Sequence, residues 1–120
     1  MSTIGRDVPE AAWRDYLVSV DGDLWYTPEW TRFLEQTFRY PRYHLYATDG
    51  SGTVTGFLPL FRVKSRLTGD RLSSAPFTHI CGPLGSGEDR AALLAAACRL
   101  REDLGAGTLE IHDRIGSGRF

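Results

Sequence analysis

The sequence predicts one mixed α/β (α+β) domain, a mainly antiparallel sheet flanked by helices, in the order α-α-β-β-β-α-β. Three observations carry that expectation. Apolar residues recur at helical spacing in three stretches and alternate in others. Asp49-Gly50-Ser51-Gly52 is a turn of the kind that joins antiparallel strands. The last helical stretch runs directly into a strand, which implies a crossover.

The first helix covers residues 9–20, where Ala12, Trp13, Tyr16, Leu17 and Val20 share a face, Pro9 suits the first turn and Asp21-Gly22 supplies a stop. The second opens at Thr27-Pro28-Glu29-Trp30. Thr27 offers an oxygen to orphan amides, Pro28 presets the helical angle and Glu29 faces the positive end of the dipole. Trp30, Phe33, Leu34, Thr37 and Phe38 then trace one stripe. Trp13, Trp25 and Trp30 suit core positions; Tyr26 and Trp30, at the helix head, also suit one wall of a ligand groove.

Residues 43–48 alternate as a strand, and Val54 opens its partner. Residues 54–84 read as two long strands joined at Thr68-Gly69-Asp70, interrupted at Pro59, Pro76 and Pro83, because proline cannot donate to a ladder. Arg62, Lys64 and Arg66 sit two apart and project from one face. They suit either a charged, solvated edge or an anion site. The third helix covers residues 88–104, with Leu93, Leu94, Ala97, Leu100 and Leu104 as its stripe and Gly105 as its stop. Residues 108–112 form the last strand. Ile111-His112-Asp113 then runs into Gly116-Ser117-Gly118-Arg119-Phe120, which reads as a small flexible tail or a truncation point after a domain of residues 1–115.

A length of 120 residues suits one domain with one core. Lys plus Arg number 14 against 15 Asp plus Glu, with no block of one sign, so DNA is not the expected partner. Cys81 and Cys98 read as free thiols, which fits a reducing cytoplasm. Residues 1–13 carry no signal-peptide pattern, and no apolar run reaches the ~18 residues of a membrane span.

His44, His79 and His112 lie on separate segments without metal spacing, and no Gly-x-Ser-x-Gly elbow occurs. His79 and Cys81 share a strand face but do not face each other. The loop Gly82-Pro83-Leu84-Gly85-Ser86-Gly87 precedes a helix N-terminus, where anions dock. Pro83 removes an amide there, and Glu88 with Asp89 bring negative charge.

Several stretches together resemble the N-terminal portion of FemAB-like proteins, members of the GNAT acyltransferase superfamily. They are Tyr26-Thr27-Pro28-Glu29-Trp30, Gly56-Phe57-Leu58-Pro59-Leu60, Lys64-Ser65-Arg66-Leu67-Thr68-Gly69, Arg71-Leu72-Ser73-Ser74-Ala75-Pro76-Phe77, Gly82-Pro83-Leu84 and Leu109-Glu110-Ile111. The resemblance implies a GNAT-like half of a two-half protein that attaches acyl or aminoacyl groups in peptidoglycan or exopolysaccharide biosynthesis. It implies that a C-terminal half holds the donor, acyl-CoA or aminoacyl-tRNA, and that this half binds the acceptor, a small molecule or cell-envelope precursor. The superfamily's donor loop would fall on residues 82–87, where Gly82 replaces the expected cation, so no cofactor is expected on this half. Tyr26, Trp30, Lys64, Arg66, Pro76, Phe77 and His79 are the residues expected to line the acceptor cleft, with Lys64 and Arg66 meeting an anionic group. Catalytic residues are not assigned. A stand-alone, non-catalytic binding module is the alternative, and an exposed last strand could recruit a second copy.

Overall fold

A computed structural model describes residues 3–20, 24–65, 69–74, 82–113 and 116–119. Strand β1 (Thr3–Arg6) leads into helix α1 (Glu10–Val20), a 3-10 turn at Leu24–Tyr26 and helix α2 (Pro28–Phe38). Four strands follow, β2 (Leu45–Thr48), β3 (Val54–Leu58), β4 (Phe61–Ser65) and β5 (Gly69–Ser73). Helix α3 (Gly87–Leu104), β6 (Thr108–Asp113) and β7 (Gly116–Arg119) complete the order. The fold is mixed α+β and mostly antiparallel, as the sequence predicts.

The helices begin and end for local reasons. Thr27 caps α2 by accepting a hydrogen bond from the Trp30 N–H at 3.2 Å. Ser86 caps α3 in the same way, from the Asp89 N–H at 3.2 Å, and Gly105 closes it at φ 70°, where a side chain is disfavoured.

Where one sheet is expected, two ladders form, β1-β2-β3 and β4-β5-β6-β7, and the sole parallel pair among them is β5 with β6. The division falls at Pro59. The chain opposite it is continuous: Leu45 pairs with Leu58 in the first ladder, and Arg42 bridges Phe61 on the other side of the break. Tyr43 N–H donates to the Leu60 carbonyl at 2.8 Å and Arg62 N–H to the Pro41 carbonyl at 3.0 Å, so one antiparallel hairpin keeps its register through the break and places Pro59 opposite His44. Pro59 takes a non-hydrogen-bonded position there, so the donor it lacks faces away from this hairpin, and the two ladders divide at that residue.

The core lies on both faces. Leu45 and Leu58 from the first ladder and Leu60, Leu72, Leu109 and Ile111 from the second pack with Leu93, Ala97 and Leu100 of α3, so this helix spans the division. Phe57, one residue from Leu58 and hence on the opposite face, packs with Trp13, Tyr16 and Leu17 of α1 and with Tyr26. Each fully buried leucine contributes about 2 kcal/mol of transfer free energy, and a helix that seals both ladders couples them into one cooperative core.

Three differences from the sequence reading have physical causes. β1 was not anticipated: four residues carry too little alternation to register, and they gain strand character by pairing with β2. The stripe read on α2 is rotated, because Thr31 and Leu34 face inward while Phe33 and Phe38 stand 46% and 42% exposed. Thr31 turns in because its hydroxyl has a buried partner, described below. Residues 116–119, expected as a tail, pair antiparallel with β6, so β7 rather than β6 forms the outer edge.

Candidate functional site

A cavity of about 300 Å³ opens where the α2–β2 connection passes the β4 strand. Phe38 comes from the last turn of α2, Arg39, Tyr40 and Tyr43 from the connection, and Arg62 and Lys64 from β4. Phe61 and Val63 are buried on the inner side of β4, so alternation sends Arg62 and Lys64 to the other. The anticipated common face of these two cations is therefore present.

Their roles differ. Arg62 makes a two-pronged pair with Asp70, Nε to Oδ1 at 3.1 Å and Nη2 to Oδ2 at 2.7 Å, and its Nη2 also donates to the Leu104 carbonyl at 3.1 Å. That fork ties β4 to β5 and to the end of α3, and the Arg62 hydrogen bond holds the Asp70 carboxyl below its usual range. Arg62 is thus a structural cation. Lys64 is exposed, and among the described residues it forms no ion pair.

Arg39 is the residue that sequence reasoning missed. It ends α2 in the left-handed conformation, φ 57° and ψ 37°, with its N–H donating to the Leu34 carbonyl. Glycine or asparagine ordinarily fills that position, since a larger side chain there costs about 1 kcal/mol. A non-glycine C-cap has no signature in one sequence. Among the described residues Arg39, too, forms no ion pair; Lys64 sits across the ladder from Asp70, whose carboxylate it helps hold low but which is bonded to Arg62, so the described cavity wall carries a net positive charge beside three aromatic rings.

Of the other anticipated site residues, Tyr26 and Trp30 are described, and they lie elsewhere. Tyr26 is a core ring, 6% exposed, whose hydroxyl donates to the Gly82 carbonyl at 2.8 Å and whose carbonyl accepts from Trp13 Nε1 at 2.7 Å. Trp30 is half-buried, edge-on to Trp25 at 4.7 Å and stacked on Phe33 at 5.2 Å. Neither lines the cavity. Arg66, Pro76, Phe77 and His79 lie outside the described residues, as does Cys81. The Gly82–Gly87 loop spends its backbone on the sheet, Leu84 exchanging two bonds with Phe57 at 2.8 and 3.1 Å.

His44 is a second polar centre, wholly internal. Trp13, Phe57 and Phe61 surround it edge-on at ring-centroid distances of 5.1 to 5.4 Å. Its Nδ1 accepts the Leu60 N–H at 3.0 Å, which fixes the neutral tautomer with the proton on Nε2, 2.9 Å from the Thr31 hydroxyl. Burial first, and the nearby Arg42 cation second, push the imidazole down to about 3. Both ring nitrogens are occupied, so His44 holds structure and is not free for proton transfer.

Among the described residues no helix is long and apolar enough to cross a membrane, and no group of His, Cys, Asp and Glu is arranged to hold a metal. No protein-family model, curated protein or solved structure matches the chain.

Proposed function

We propose that this chain is the acceptor-binding, GNAT-like half of a FemAB-like acyl or aminoacyl transferase that works in cell-envelope or exopolysaccharide biosynthesis in the cytoplasm. The observation that carries the reading is the cavity lined by Lys64: a concave, aromatic and cationic site beside the division of the sheet. Its volume of about 300 Å³ lies at the small end of the range for small-molecule sites. Amide formation from an activated acyl donor asks chiefly for an amine held in line with a thioester or ester, and for a path for its proton. Lys64 and Arg39 supply orientation by gripping an anionic part of the acceptor, which leaves the amine to the donor side. The donor, acyl-CoA or aminoacyl-tRNA, belongs to a C-terminal half.

Two measurements test this. The gene beyond Phe120 is expected to continue in an open frame of about 200 further residues; a stop codon directly after Phe120 returns the chain to a stand-alone binding module. In the two-half protein, Lys64→Ala raises the acceptor KM several-fold and leaves the melting temperature unchanged. An unaltered KM overturns the assignment of this cavity to the acceptor.

A further inference from the structure

We infer that the cavity between the α2–β2 connection and β4 is built for a phosphate monoester carried on a ring, with Arg39 and Lys64 as its two cationic contacts. This rests on the acceptor-site reading above and narrows the ligand it takes.

The charge count selects the anion. Among the described residues three cations line the cavity, and Arg62 is consumed by Asp70 and the Leu104 carbonyl. With the Asp70 charge set against Arg62, the described lining keeps an excess of two positive charges, from Arg39 and Lys64, matching the double charge of a phosphate monoester; Asp70 lies across the ladder from Lys64, and among the described lining residues there is no carboxylate. Arg39 offers a planar fork and Lys64 a rotatable point charge, the two cation geometries that phosphate oxygens accept.

The rings select the carrier. Phe38, Tyr40 and Tyr43 line the same wall, and Phe38 stacks on Tyr40 with centroids 5.7 Å apart. An aromatic platform beside a cation pair favours a ring next to the anion, aromatic or the apolar C–H face of a sugar, over a free inorganic ion.

The backbone gives the third argument. At φ 57°, Arg39 occupies a helix end that glycine would fill without steric cost. Its side chain makes no ion pair among the described residues to offset that cost, and it lines the cavity. Residues held in such conformations for no gain in stability concentrate where ligands are gripped.

Titrations of the whole chain by calorimetry, with phenyl phosphate, glucose 1-phosphate, inorganic phosphate and phenol as probes, decide the matter. At least one of the two ring-borne esters binds about tenfold more tightly than inorganic phosphate and phenol, and which one does so distinguishes an aromatic from a sugar carrier. Arg39→Gly lowers that affinity about tenfold while the melting temperature holds or rises, because the strain is relieved as the contact is lost. Lys64→Met lowers it as well. Neither ester binding above inorganic phosphate, or an Arg39→Gly chain that binds as well as the parent, overturns the inference. Ester binding by a chain whose two-half form transfers no acyl group would sink the transferase reading alone; transfer without ester binding sinks this one alone.

Discussion

The Leu60 N–H donates to Nδ1 of His44 at 3.0 Å, at the point where the hairpin passes from one ladder to the other. In a regular antiparallel pair Leu60 would return its bond to the backbone of Tyr43, whose N–H already donates to the Leu60 carbonyl at 2.8 Å. A side chain thus stands in for a carbonyl. The break between the ladders costs no buried, unpaired amide, and the imidazole links α2 through Thr31 to the strand junction.

Removing either end of that link is costly. His44→Ala leaves the Leu60 amide without a partner and opens a cavity among Trp13, Phe57 and Phe61, for a loss of about 3 kcal/mol. Thr31→Val strands only the Nε2–H, for about 1–2 kcal/mol. Urea unfolding of both chains checks the order; equal small losses would show the link to be incidental.

The same histidine makes stability depend on pH. Folded, it titrates at about 3, and unfolded near 6.5, so as pH falls from 6.5 the unfolded chain takes up a proton that the folded chain refuses. Stability therefore falls by about 1 kcal/mol per pH unit below 6.5. Glu10 and Glu29, held low chiefly by hydrogen bonds from Arg32 and Arg14, and Asp70, held low by Arg62, lose their contribution only below about 4.5, the ordinary Glu value. The window from 6.5 to 4.5 lies above the range of these carboxylates, and comparison with a His44 variant separates this histidine's share from that of the other two. A flattened profile for His44→Gln in that window, followed by urea midpoints, is the expected result.

Gly56 faces α3 at close quarters. A Cβ there would stand 2.9 Å from the Leu84 carbonyl oxygen and 3.2 Å from Leu93 Cδ1. Gly56→Ala pushes the Leu84 backbone off Phe57 and costs about 2 kcal/mol. A thermal melt within a degree of the parent would show that the Leu84 segment yields freely.

Arg62 is half of a fork that lysine cannot copy. Arg62→Lys keeps the charge but loses the second prong to Asp70 and the bond to Leu104, and is expected to destabilise about as much as Arg62→Ala, roughly 1 kcal/mol. Denaturation of the two variants side by side measures this; full rescue by lysine would mean that charge alone matters.

Much of this fold is legible in sequence because it is decided locally. Thr27-Pro28-Glu29 states where α2 begins, Asp49-Gly50-Ser51-Gly52 where the hairpin turns, and Gly105 where α3 ends. What stays hidden is decided by distant partners. Thr31 is polar and reads as a surface residue until His44, 2.9 Å away, is folded against it. Thr3–Arg6 becomes a strand through β2, and Gly116–Arg119, with little intrinsic strand preference, through β6. At the site, Lys64 is readable from strand alternation, whereas Arg39 shows only as an arginine between two aromatics.

The parallel pairing of β5 with β6 sets a timetable for synthesis. The hairpin of residues 41–62 can close as soon as it leaves the ribosome, since its contacts are near in sequence. β5 must wait until α3 and Thr108–Glu110 have been translated before its second edge is covered. In that interval an unpaired strand is open to other nascent chains, and slower growth at lower temperature is the simplest means of improving the yield of folded protein.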